Sequence, residues 1–304
     1  MAVYFSIFLV VVTFVTGIIW LADKYYLAPQ RRLKLSEAQS QCNGSLSDDV
    51  VSKITEPSAV VDTSVQIFPV IAFVLILRSF LYEPFQIPSG SMMPTLLDGD
   101  FILVNKFNYG LRDPVARNKF FEVGLPERGD VVVFKYPVDP KTDFIKRVIG
   151  LPGDRVIYRN KLLYIKPACH SSDEKCPDFE SVVQEFQGKY NGENSGLSRY
   201  TSMMPNKTHD ILIEQQTLPR AQHYYQQAST QRDEFVVPEG QYFVMGDNRD
   251  NSLDGRFWGF VPEENLVGEA VAIWMSFDFD RDENSWLPHW IPTGVRFSRL
   301  GGIN

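Results

Sequence analysis

Two serines separated by one glycine and fenced by prolines stand in Phe85-Gln-Ile-Pro-Ser-Gly-Ser-Met-Met-Pro-Thr-Leu. A turn stiffened by proline and opened by a bare glycine lets a serine hydroxyl project while backbone N–H groups point into one spot. That suits an attacking hydroxyl beside a hole for the oxyanion it creates. Taken alone, the segment reads equally well as an ordinary Ser/Gly/Pro loop. A serine nucleophile needs a base, and the usual one is missing. His170, His209 and His223 sit in a polar stretch, His289 sits among tryptophans near the C-terminus, and no Gly-x-Ser-x-Gly turn occurs. A Ser-His-Asp triad is therefore disfavoured.

Lysine can substitute for histidine when burial strips its charge. The run Asp143-Phe-Ile-Lys-Arg-Val-Ile-Gly places Lys146 in an apolar strand, where desolvation lowers a lysine pKa. Moving it from about 10.4 toward 7 to 8 requires roughly 4 kcal/mol from the surrounding fold. A strand lysine more often snorkels to solvent, so Lys146 gains meaning only with companions. A third cluster, Gly246-Asp-Asn-Arg-Asp-Asn-Ser-Leu-Asp-Gly-Arg-Phe-Trp-Gly, follows an apolar run. In an extended segment Ser252, Asp254 and Arg256 alternate onto one side. There a hydroxyl can orient the lysine amine while an Asp-Arg pair braces the loop; the same residues also make a plain solvated turn.

The elements that must position these residues are short apolar runs between Gly, Pro and Asp clusters: Phe101-Ile-Leu-Val, Asp130-Val-Val-Val-Phe, Arg155-Val-Ile-Tyr, Gln241-Tyr-Phe-Val-Met and Glu269-Ala-Val-Ala-Ile-Trp. They read as strands. The fold class is mainly β and antiparallel, split into residues 83–165 and 235–304 around a polar inserted subdomain, 166–234. Ahead of it come two apolar runs expected to cross a membrane, residues 1–22 and 63–82, joined by a polar loop, 23–62. Pro69 argues against an ordinary soluble helix in the second run. Lys24, Arg31, Arg32, Lys34 and Lys53 lie in the loop, and nothing positive precedes the first run, which puts the loop in the cytoplasm. Everything after Tyr82 then lies outside, in a bacterium the periplasm. Ser91 follows Arg78 by only 13 residues, a tether of at most about 45 Å. Trp274, Trp286 and Trp290, with Phe277 and Phe279, are amphipathic rings suited to a bilayer interface.

Composition removes some classes of function. A net charge of -7 and four histidines give no basic field for nucleic acid. Cys42, Cys169 and Cys176 lack the spacing of a zinc site, so no metal is expected. If their segment lies outside the cytoplasm, Cys169 and Cys176 can form one bridge; otherwise they are two free thiols. The sequon Asn206-Lys-Thr208 is short enough to arise by chance.

The three chemical clusters, with Gly99-Asp-Phe-Ile-Leu-Val, Arg128-Gly-Asp-Val-Val-Val-Phe and Phe144-Ile-Lys-Arg-Val-Ile-Gly-Leu-Pro-Gly-Asp in the same order, resemble the type I signal peptidases of Gram-negative bacteria. The resemblance covers both spans and the outer domain except most of the insertion. It implies a membrane-bound serine endopeptidase in which Ser91 attacks, Lys146 is the general base, Ser89 donates to the oxyanion hole beside the Ser91 backbone N–H, and Ser252 orients Lys146. Asp254 and Arg256 become supporting residues. Phe85, Ile87, Leu96, Ile102, Phe144 and Ile145 match positions lining shallow apolar pockets that favour small residues at -1 and -3. The implied partners are preprotein signal peptides and membrane phospholipid, in the bacterial inner membrane, with no cofactor. The Cys169/Cys176 pair resembles a disulfide of some members, and Cys42 is expected to be reduced. Leu253 and Gly255 stand at variable places of the third motif. Two other readings stay in view: a Ser-Lys protease for a dedicated membrane substrate, and a catalytically silent membrane-tethered β domain.

Overall fold

The computed structural model describes residues 2–41, 46–112, 119–121, 123–169, 176–190, 196–205, 207–279, 288 and 291–303. Cys42, His170, Asn206, Trp286, His289 and Trp290 lie outside the described residues. The chain divides near residue 81 into two units.

The first unit is helical. Helix α1 (Ala2–Ala22) runs through a π-helical turn, Asp23–Leu27, into α2 (Ala28–Gln41), followed by α3 (Asp48–Thr55) and α4 (Ala59–Ile76). Two helical stretches, Ile7–Gln41 and Ala59–Leu81, are long and apolar enough to cross a membrane. The first helix therefore continues past the residue 22 boundary expected from its apolar run. Along this polar extension Arg31 pairs with Asp23, eight residues earlier, at 2.7 Å. Where α1 meets α4, Gly17 admits the ring of Phe68, which a Cβ would approach to 2.8 Å, and Trp20 stacks on that ring at 5.2 Å. Small residues allow such close helix approach in lipid. Thr13 and Ser64 satisfy their buried hydroxyls on the carbonyls of Leu9 and Val60, both at 2.7 Å.

The second unit is built on strands β1 (Tyr82–Gln86), β2 (Asp100–Asn105), β3 (Val131–Lys135), β4 (Asp143–Gly150), β5 (Arg155–Arg159), β6 (Leu162–Lys166), β7 (Val183–Lys189), β8 (Leu197–Met203), β9 (Thr208–Glu214), β10 (Glu234–Val236), β11 (Gln241–Met245) and β12 (Leu266–Asp278). Each run expected from the sequence falls on one of them. In the large sheet the order is β1-β2-β12-β3-β4-β11, closing on the short strand Val261–Pro262. All pairings between named strands are antiparallel. Strands β7-β8-β9 form a separate sheet, while β10, β5 and β6 form another with the two residues Glu180–Ser181. Cys169 and Cys176 are joined by a disulfide. Three apolar clusters fill the unit, one of them around Ile87, Met92, Leu96, Ile102, Val131, Val133 and Ile145.

Candidate active site

Strand β4 is exposed only at its start; from Ile145 onward every side chain is buried. Lys146 lies opposite Val132 on β3 and is 4% exposed. Its Nζ stands 2.7 Å from Ser91 Oγ and donates to the Ile145 carbonyl at 2.8 Å. Burial pushes its pKa down to about 8; Asp254 and Asp247 work against that shift, and Arg256 works with it. An amine so placed can lose its proton near neutrality and then accept one from a hydroxyl at hydrogen-bond distance. The Phe144 ring lies 5.4 Å from the same nitrogen.

Ser91 sits in a single 3-10 turn, Gly90–Met92, entered from extended Ser89. Met92 is buried and anchors the turn, whereas Ser91 is half-buried and Ser89 exposed. The two hydroxyls are 3.5 Å apart, so Ser89 can reach an atom bonded to Ser91 Oγ. The Asn248 N–H donates to the Ser91 carbonyl at 3.1 Å, and its side-chain amide donates to Gly90 O at 3.1 Å.

The third cluster differs from the expected extended segment. Ser252, Asp254 and Arg256 are not aligned by strand alternation, because a short helix, α5 (Gly255–Trp258), begins after Asp254. Asp254 is its N-cap and accepts from the Arg256 N–H at 3.2 Å, satisfying an orphan donor of the first turn. The carboxylate also holds the Arg256 guanidinium through two contacts of 2.8 Å and accepts from Gly246 N–H at 2.9 Å. Asp254 is fully buried, and although burial works against ionisation, Arg256 keeps it below the usual carboxylate range. Ser252 Oγ is buried and has no hydrogen-bond partner. It lies against Gly246, where a Cβ would come within 2.2 Å of Ser252 Oγ and 2.5 Å of the Ser91 carbonyl. Only glycine leaves room for both.

The apolar residues assigned to the pockets separate into two sets. Ile87, Leu96, Ile102 and Ile145 pack in one cluster with Phe85 against it, whereas Phe144 packs in another with Val148. Adjacent residues of a strand face opposite ways, so Phe144 and Ile145 cannot share one wall. Phe144 instead stacks on Tyr136, rings 4.3 Å apart and 3° from parallel.

Four residues given no role by the sequence reading tie the clusters together. Arg147, fully buried beside Lys146, grips Asp247 at 2.9 and 2.7 Å and donates to the Gly129 carbonyl at 2.8 Å. Thr95, just past the serines, donates to Asp247 at 2.5 Å. Neutral His209, its pKa pushed down to about 3 by burial and the neighbouring Arg147, sits 3.8 Å from Asp247. Arg147 and Asp247 flank residues already marked by their motifs, which was the available signal. Thr95 gave none. Among the described residues no group of three His, Cys, Asp or Glu is placed to hold a metal ion.

The helical pair and the β unit with its hydroxyl-amine centre have the makeup of a membrane-associated serine peptidase. Residues 60–275 match the family described as signal peptidase, peptidase S26. The chain is 41% identical over 319 residues to the signal peptidase I of Buchnera aphidicola from Schizaphis graminum, covering 98% of each. It is 40% identical to that of Pseudomonas aeruginosa, covering 97% of this chain and 99% of the relative. For Haemophilus influenzae the figures are 36%, 97% and 90%. A crystal structure of an Enterococcus faecalis signal peptidase I is 27% identical and covers 49% of this chain and 98% of its own, with a TM-score of 0.26. The chain belongs to the peptidase S26 signal peptidase family.

Proposed function

We propose that the protein removes N-terminal signal peptides from exported preproteins by a Ser91–Lys146 mechanism, cutting after small residues at -1 and -3. The observation that carries this reading is the 2.7 Å separation of Lys146 Nζ and Ser91 Oγ, with the amine buried enough to titrate near 8. Neutral Lys146 takes the Ser91 proton as Oγ attacks the scissile carbonyl. The oxyanion is met by the Ser91 N–H and the Ser89 hydroxyl. Protonated Lys146 then gives its proton to the leaving amine, and a water deprotonated by the same lysine hydrolyses the acyl-enzyme. Ser252, whose buried hydroxyl has no hydrogen-bond partner in the structure, is available to steady the amine during the reaction, and Asp254 with Arg256 braces the loop. Ile87, Leu96, Ile102 and Ile145, with Phe85, form the floor of a shallow pocket that admits alanine and rejects larger side chains; Phe144 packs in a separate cluster, beside the lysine.

The two apolar helices anchor the enzyme in a bacterial inner membrane with the β unit in the periplasm, in keeping with the Cys169–Cys176 bridge and an oxidising compartment. Exposed Trp274 and Phe297 are among the described rings suited to contact phospholipid. The test is to incubate the purified full-length protein in detergent micelles with a preprotein ending in Ala-x-Ala and map the new N-terminus by mass spectrometry. A single cut after the -1 alanine, lost when that alanine becomes phenylalanine, is expected. Cleavage indifferent to the -1 and -3 residues would overturn the specificity.

A further inference from the structure

The polar insertion has no assigned part in the chemistry, yet its last strand is bonded to the loop that touches the nucleophile. Leu212 on β9 donates its N–H to Asp247 O at 2.9 Å, and Arg249 N–H donates back to Leu212 O at 2.9 Å. These two bonds make a parallel bridge between Leu212 and Asn248. Asn248 itself faces the other way, giving its N–H to Ser91 O and its side-chain amide to Gly90 O. Residues 247–249 are therefore one extended link, with the serine turn on one edge and the insertion on the other. Successive strands lie about 4.8 Å apart, so β9 is a single hydrogen-bonded step from the loop that holds Ser91.

A second tie fixes where that link ends. One oxygen of Asp250 accepts from Glu214 N–H at 2.9 Å and from Lys161 Nζ at 2.9 Å, while Lys161 Nζ also donates to Glu214 O at 2.5 Å. Lys161 occupies the two-residue turn between β5 and β6, where Asn160 and Lys161 take φ of 50° and 65°, the geometry that matches a twisted hairpin. A single ion pair, its side chains 14% and 11% exposed, thus cross-ties the β5–β6 turn, the end of β9 and the catalytic loop. Charge-assisted bonds in so dry a place are directional and strong.

Ser252 lies two residues beyond Asp250, and its hydroxyl has no hydrogen-bond partner. Its place is set by its backbone, held on one side by the Asp250 clamp and on the other by Asp254, which binds Gly246 N–H and Arg256. We infer that the insertion is a working part of the catalytic centre: β9 and the Lys161–Asp250–Glu214 clamp set the position of Ser252 and of the Ser91 turn. Lys161 and Asp250 are positioning residues. This inference rests on the Ser91–Lys146–Ser252 reading above.

The test is steady-state kinetics of the full-length protein in micelles on a soluble peptide containing the Ala-x-Ala site, with variants Lys161→Met, Asp250→Asn, the double variant and Lys161→Arg. Expected are a tenfold or larger fall in kcat for each single loss of the pair, KM within twofold of wild type, a double variant no slower than the slower single, and substantial rescue by Lys161→Arg. Asp250→Asn keeps the shape and an oxygen for the Glu214 N–H, so it provides the reading if Lys161→Met does not fold. Arg199→Met, which breaks the exposed Arg199–Asp210 pair of the same insertion, is expected to keep wild-type kcat. A lowered melting temperature with kcat within twofold in both single variants would show that the clamp only stabilises the fold and would overturn the inference. Lys146→Ala in the same assay separates the two ideas: activity surviving there refutes the base, whereas the clamp is judged by kcat of the Lys161 and Asp250 variants whatever the base proves to be.

Discussion

If Lys146 must be neutral to accept the Ser91 proton, acidification switches the enzyme off at a pH fixed by how dry the amine is. Lowering the amine from the ordinary 10.5 to about 8 corresponds to about 3 kcal/mol against its charged form. Below pH 8 the neutral fraction, and with it kcat/KM, falls about tenfold per pH unit, to about one hundredth of its plateau at pH 6. Stability follows the same group. Between 8 and 10.5 the unfolded chain binds more protons at this lysine than the folded one, so Lys146 makes the fold more stable as pH rises through that window; below 8 both states are protonated and the contribution is flat. Since Asp254 and Asp247 hold the amine up and Arg256 pushes it down, Asp254→Asn is expected to move the ascending limb to lower pH. His209, neutral to about pH 3, cannot supply the limb. The assay is kcat/KM on a fluorogenic peptide from pH 5.5 to 9.5, with circular dichroism at each pH. A profile flat down to pH 6 in folded protein, or a limb that vanishes in His209→Asn, would refute the reasoning.

Other outcomes follow from the same contacts. Gly246→Ala places a methyl within 2.2 Å of Ser252 Oγ and 2.5 Å of the Ser91 carbonyl; stability is expected to drop by about 1 to 3 kcal/mol and kcat by about 100-fold, measured by thermal melts and peptide cleavage. Asp247→Ala removes the carboxylate that pairs with the fully buried Arg147, so a loss of about 3 to 5 kcal/mol is expected in denaturant titrations. Alkylation without reduction is expected to leave Cys169 and Cys176 unlabelled and to modify Cys42, read by peptide mass mapping. Replacing both bridged cysteines by serine releases a short loop, with a separation of seven, at about 2 to 3 kcal/mol, and is expected to keep kcat within twofold.

Much of the strand framework was legible because a strand buried on both faces announces itself by a short apolar run between turn residues, and Val131 to Phe134 and Gln241 to Met245 do so plainly. The two apolar helices were legible from their length and composition, although the helical extension to Gln41 was not, since it is polar. Ser91 and Lys146 were visible through their motifs, and the structure brings them to 2.7 Å. The helix that starts at Gly255 was missed because Asp-Gly reads as a turn until Asp254 is seen to cap it. The separation of Phe144 from Ile145 follows from strand geometry and was available in principle. Contacts across long sequence distances were not: nothing local links Thr95 to Asp247 or Lys161 to Asp250, because such pairs are fixed by sheet topology.

The most direct test of the central claim is to trap the covalent intermediate. The protein in micelles is mixed with a peptide carrying Ala-x-Ala and an ester in place of the scissile amide, quenched in acid within the first turnover, digested and mapped by tandem mass spectrometry. The acyl group is expected on Ser91 in wild type, absent in Ser91→Ala, and formed at least a thousandfold more slowly at pH 8 in Lys146→Ala. An acyl group on another residue, or acylation of Ser91 at the wild-type rate without Lys146, would contradict the Ser91–Lys146 mechanism.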